Sequence, residues 1–139
     1  MSFKEKIAWI SVTTTILVWG AFFAFALSTR WHLPGPVYFA AFGGAMVIQA
    51  ILAAGASIVT AILTPADASA GSDERDRRIA HRAYAFAYPV LLVLVVCAAG
   101  SIHLGVHAIG IAYEIMGAIV IAEIVHYAAQ IVGYRRGWQ

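Results

Sequence analysis

The sequence predicts an all-α membrane protein, a bundle of four antiparallel transmembrane helices with both ends of the chain on the cytoplasmic side. Three observations predict it. Of the 139 residues, 62% are hydrophobic and only 12% are charged, whereas a soluble surface needs about a quarter charged residues. The apolar residues gather into four continuous runs, each near the ~20 residues that a helix needs to cross the hydrocarbon core. The Lys and Arg residues fall almost wholly in alternate flanks. The composition also excludes a disulfide scaffold, since Cys97 is the single cysteine. One integral membrane domain spans residues 1–139.

The first run, Ile7 to Leu27, carries no charge. Lys4 and Lys6 precede it and Ala24-Phe25-Ala26 closes it, the outline of a signal peptide, but the run is longer than a usual signal core. It reads as a retained anchor. The second runs from about Val37 to Leu63, with Gln49 its strongly polar residue. The small polar stretch Thr64-Pro65-Ala66-Asp67-Ala68-Ser69-Ala70-Gly71 then stops the helix.

The third helix is expected over residues 72–101, with its membrane part from about Ala83. Ser72 can cap it, and Asp73 and Glu74 sit at the positive end of its dipole. Asp73 with Arg77, and Glu74 with Arg78, have the favourable i,i+4 order. Pro89 should kink the helix one turn inside the membrane. The fourth run, about Ala108 to Val132, differs in carrying Glu114, Glu123, His126 and Gln130. Continuous apolar runs favour helices over a barrel, whose strands alternate.

Orientation follows from the basic flanks. Lys4 and Lys6, then Arg75, Arg77, Arg78 and Arg82, then Arg135 and Arg136 share one side, and Arg30 alone lies on the other. The first side is expected to be cytoplasmic, and the formal charge of +2 is this asymmetry rather than a nucleic-acid footprint. Trp9, Tyr84, Tyr88, Tyr134 and Trp138 near the inner boundary, and Trp31, Tyr38 and Tyr113 near the outer, resemble interfacial belts. Arg75, Arg78 and Arg82 share one helix face, which suits a topology signal or a docking surface for a protein or anionic lipid.

Met1-Ser2-Phe3-Lys4-Glu5-Lys6 before the first helix, Asp73-Glu74-Arg75-Asp76 before the third and Tyr134-Arg135-Arg136-Gly137 at the end resemble a known group. It is the small four-helix bacterial inner-membrane proteins of a domain-of-unknown-function family, marked by an Asp-Glu-Arg-Asp cytoplasmic loop. The resemblance spans nearly the whole chain. It implies the fold and an inner-membrane location, with no enzymatic chemistry to carry over, and an accessory role beside small helix-turn-helix regulators.

Ionisable groups inside a bilayer are functional candidates by default, because each costs about 2.5–3.5 kcal/mol or more to insert. His126 lies about 60° and Gln130 about 20° around the helix from Glu123, which makes a polar stripe with Tyr127. Gln49, at mid-depth in the second span, is expected to join Glu123, His126 and Gln130 as an intramembrane network. That network reads either as hydrogen-bonded packing or, with Glu123 buried, as the centre of a proton- or cation-coupled transporter. Small four-helix multidrug exporters also carry a lone buried glutamate, but in their first helix, where this chain has none. Glu114 lies about 180° from Glu123, so it should either snorkel outward or face a second subunit. Ala118 and Ala122 allow close helix contact on that helix.

Glu123-x-x-His126 has di-iron spacing but occurs once, so a di-iron site is rejected. Haem is disfavoured because His81 precedes its span beside Arg82. His103 and His107 would be i,i+4 if the third helix reached them, and with His32 they make the candidate metal ligands, weighed against plain loop histidines. Cys97 reads as a packing residue. No nucleotide loop or protease motif is present. The expectation is a non-enzymatic protein without cofactor, partnered by the lipid bilayer and by a second copy or a cytoplasmic protein, and not by nucleic acid.

Overall fold

The computed structural model describes residues 2–29, 34–66 and 73–137. Among them are four long α-helices: α1 Phe3–Ser28, α2 Gly35–Leu63, α3 Glu74–Gly100 and α4 Ala108–Arg136. A 3-10 turn, Ser101–Leu104, follows α3. All four helices are long and apolar enough to cross a membrane. The chain divides into two compact units, Met1–Gly71 with α1 and α2, and Ser72–Gln139 with α3 and α4.

Two of the helices, α1 and α3, start ahead of their apolar runs because polar residues cap them. In α1, Ser2 is the N-cap and its hydroxyl accepts from the Glu5 N–H at 3.2 Å. Ser-x-x-Glu is a capping-box spacing, so the helix starts at Phe3, ahead of the apolar run. In α3 the N-cap is Asp73, whose Oδ1 accepts from the Asp76 N–H at 2.7 Å. Ser72, expected to cap, lies outside the described residues. The carboxylate expected to pair with Arg77 is thus the cap, while Glu74 and Arg78 form their ion pair at 2.7 Å. Pro89 lies inside α3, which continues through it to Gly100. Gly137, at φ 63°, terminates α4 in the left-handed conformation.

Within the first unit, α1 buries Ala8, Val12, Thr15, Phe22 and Ala26, and α2 buries Tyr38 and Ala45. Phe22 meets Trp19, Phe23 and Phe42 edge-on, with ring centroids 5.2–6.0 Å away. Tyr38, read as part of the outer interfacial belt, is 2% exposed. Its hydroxyl hydrogen-bonds Thr29 at 2.8 Å, which satisfies the phenol and lets the ring sit inside the pair.

Within the second unit, Ile79, Ala83, Ala87 and Ala98 of α3 are buried, as are Ala118, Ala122, His126 and Gly133 of α4. Eight of the fourteen buried apolar residues in the two units are alanine. Helices that meet through alanine approach closely, which is how dispersion holds helices together where lipid is as apolar as leucine. The large residues point the other way. Leu17, Phe39, Ile51, Ile62, Val93 and Val96 are all more than half exposed. Such a surface would aggregate in water and costs nothing against acyl chains.

The turn between α3 and α4 corrects the reading of the outer histidines. After Leu104 the backbone turns at Gly105, φ 85°, a conformation that favours glycine. His107 then caps α4. His103 and His107 therefore do not share a helix and lose the i,i+4 geometry of a ligand pair. His32 lies outside the described residues, and among those described no group of three His, Cys, Asp or Glu comes together.

Candidate functional site: the polar groups of the two helix pairs

Besides the Thr29–Tyr38 bond, four sets of polar side chains hold the pairs, one in the first unit and three in the second. In the first, the Gln49 Nε2 donates to Thr15 Oγ1 at 3.0 Å and to Thr14 Oγ1 at 3.2 Å. Thr14 in turn donates to the Ile10 carbonyl at 2.9 Å. Gln49 Oε1 is buried without a hydrogen-bond partner among the described residues. Gln49 was expected in a network with Glu123, His126 and Gln130, and its bonds run to the neighbouring helix of its own unit. The threonines were missed although Thr13-Thr14-Thr15 stands out in the middle of an otherwise apolar run. A hydroxyl satisfied by its own helix still has a lone pair for a second donor, and depth-matching that run to Gln49 would have found the contact.

Past the middle of α4, the His126 ring is 5% exposed and packs on Tyr84 of α3, with centroids 4.1 Å apart and planes at 33°. The Ala83 backbone lies beside it. Gln130, one turn on, meets His126 Nε2 at 2.8 Å. With the amide as donor, Nε2 accepts and the ring carries a proton on Nδ1. Tyr127 adds an edge-on ring at 5.2 Å. The expected pairing of His126 with Gln130 is present, and the residue that sequence reasoning missed is Tyr84.

At the arginine-rich end, Tyr134 of α4 donates its hydroxyl to Asp76 Oδ1 at 3.0 Å. Arg75 Nη2 donates to the Tyr134 carbonyl at 3.2 Å. That carbonyl belongs to the last turn of α4, at the negative end of its dipole, where a guanidinium is favoured. Arg75 and Arg78, two of the three arginines expected to dock a partner, are thus engaged within the chain, Arg78 with Glu74. Arg82, the third, is exposed.

At the other end, the Ser101 hydroxyl is shared between the Ala98 carbonyl at 2.7 Å and Glu114 Oε2 at 2.6 Å. Glu114 was expected to snorkel or to face a second subunit. It stays exposed but meets a partner on its own turn, because the 3-10 segment folds Ser101 back over α4.

Glu123 is the main correction. It was expected to be buried, and it is exposed on α4. The face of α4 that meets α3 runs through Ala118, Ala122 and His126, and Glu123 stands about 60° off His126, so packing of the pair leaves the carboxyl outside.

Comparison of the chain with protein-family models, with characterised proteins and with solved structures finds no match.

Proposed function

We propose that the chain is a non-enzymatic, multi-pass protein of a bacterial inner membrane, with antiparallel helices and both ends in the cytoplasm. Its role is structural, accessory or regulatory, exercised through self-association or a protein partner on the cytoplasmic side. One observation carries the reading: inside the units Gln49 bonds to Thr14 and Thr15 and His126 to Gln130, and the large apolar residues face outward. That division of labour suits a scaffold in lipid and leaves recognition to surfaces. Lys4, Lys6, Arg77, Arg135 and Arg136 lie at the helix ends assigned to the cytoplasm, and the resemblance to the four-helix inner-membrane proteins supports the location. A reporter fused to the C-terminus should be active only in its cytoplasmic form. Activity of a reporter that works only in the periplasm would reverse the orientation.

A second reading, a small proton- or cation-coupled transporter, draws on Glu123, the exposed carboxyl near the middle of α4. The two readings part at Glu123→Gln. The scaffold should keep its fold and its partner, with a stability change of about 0.5 kcal/mol or less, as for surface substitutions. An intact fold together with complete loss of a proton-coupled flux in vesicles favours transport.

A further inference from the structure

A groove of about 300 Å³ opens on the second unit beside the Ser101–Glu114 contact. Its walls are Leu94, Cys97 and Ala98 of α3 and Gly117, Ala118 and Ile121 of α4, with Ser101 and Glu114 at one end. The small residues Ala98, Gly117 and Ala118 make the room. Its volume is that of a small ligand site, apolar walls with a few polar groups at one end.

Depth says what fits. The 29 residues of α4 make a rod of about 43 Å against a hydrocarbon core of about 30 Å, so roughly 6–7 Å overhangs each face of a centred helix. Glu114 is six residues into α4, hence about 9 Å from its start and just inside the hydrocarbon boundary. From there the groove runs inward for seven residues on each helix, Ser101 to Leu94 and Glu114 to Ile121, about 10 Å. A carboxyl at the headgroup boundary with an apolar channel leading inward complements a molecule that is cationic at one end and hydrocarbon at the other. Among the described residues Glu114 has only the Ser101 hydroxyl as partner and no Lys or Arg in its own unit. At that depth a lipid headgroup bearing an ammonium can donate a charge-assisted hydrogen bond to it.

We infer that this groove is a binding site for an aminophospholipid, with the primary ammonium of the headgroup on Glu114 and an acyl chain between α3 and α4. The inference rests on the membrane reading through the depth of Glu114 alone, and the C-terminal reporter tests that reading separately.

The test uses the full chain purified from nanodiscs of phosphatidylethanolamine and phosphatidylcholine with matched acyl chains, followed by native mass spectrometry of the retained lipid. The two heads differ in their N–H donors, which the choline head lacks. The wild type should retain the ethanolamine lipid about tenfold over the choline lipid, the ~1.4 kcal/mol equivalent of one charge-assisted hydrogen bond. Glu114→Gln should bring the ratio near one. Gly117→Leu, which keeps the carboxyl but fills the groove, should lose both lipids and supplies the answer if Glu114→Gln does not fold. Cys97, the single cysteine and a wall residue, gives a second readout: its alkylation should slow when the ethanolamine lipid is present and not when the choline lipid replaces it.

Equal retention of the two lipids by the wild type overturns the inference, as does an unchanged preference in Glu114→Gln. Cys97 that resists alkylation in both lipids means that protein covers the groove, which also overturns it. Octylamine bound on Glu114 without any preference between the phospholipids would assign the groove to a soluble amine instead of a lipid.

Discussion

Ala83→Leu is expected to destabilise the α3–α4 pair by about 2 kcal/mol, within the 1–3 kcal/mol range of overpacked cores. Ala83 is fully buried beside the His126 ring. Three added carbons have nowhere to go except into the seam, and α4 must move away from α3 as a rigid rod. Separation then weakens every contact along the seam at once, because dispersion falls steeply within an ångström of extra gap. In lipid there is no compensating gain from burying the larger side chain, since the bilayer solvates leucine equally well. Reversible unfolding in mixed micelles measures the loss. Val96→Leu, at a position 68% exposed, should stay within about 0.5 kcal/mol. Equal effects of the two substitutions would mean that α3 and α4 do not meet along this seam.

His126 should show the second large effect, and two substitutions divide it. His126→Ala removes the ring from Tyr84, opens a void and strands the Gln130 amide, for a cost of about 2–3 kcal/mol. His126→Phe keeps an aromatic ring against Tyr84 and loses only the bond to Gln130, so it should cost about 0.5–1 kcal/mol, the range of intramembrane hydrogen bonds. The same micelle titration reads both. If His126→Phe costs as much as His126→Ala, the hydrogen bond and not the ring stack holds the middle of the pair.

The helices were legible because the bilayer imposes a length and a continuity that any apolar run reveals; Val37 to Leu63 against Gly35–Leu63 is a near match. Their starts were less so. Ser2 with Glu5 and Asp73 with Asp76 set those of α1 and α3, and hydropathy does not register a side chain that caps a backbone N–H. Among the site residues, the His126–Gln130 pair was readable because both lie on one helix, where 100° per residue fixes the spacing. Glu123 was misplaced for a related reason. Periodicity shows which residues share a face, but the face that meets another helix is chosen by the small residues Ala118 and Ala122, and the polar stripe only partly follows them. Thr14, Thr15, Tyr84 and Ser101 were missed because their roles depend on the register between helices, and a single sequence carries that register only weakly. His103 and His107 turned on one backbone angle, that of Gly105.

The hydrogen bonds also bear on how such a chain is made. Membrane helices enter the bilayer in the order of their synthesis, and a polar side chain that arrives alone bears its full insertion penalty until a partner appears. Here the partner is already waiting for Gln49 and for Glu114. Gln49 enters on α2 after Thr14 and Thr15 have entered on α1. Glu114 enters on α4 after Ser101, and His126, whose hydrogen bond is to Gln130 of its own helix, finds the Tyr84 ring already in place. Gln49 and Glu114 thus each follow their partner by a single helix, and the intermediate with α1 and α2 alone in the bilayer has its amide donor already satisfied. The nascent chain can pause after the first pair without a stranded Gln49 donor, so assembly can proceed pair by pair in step with translation.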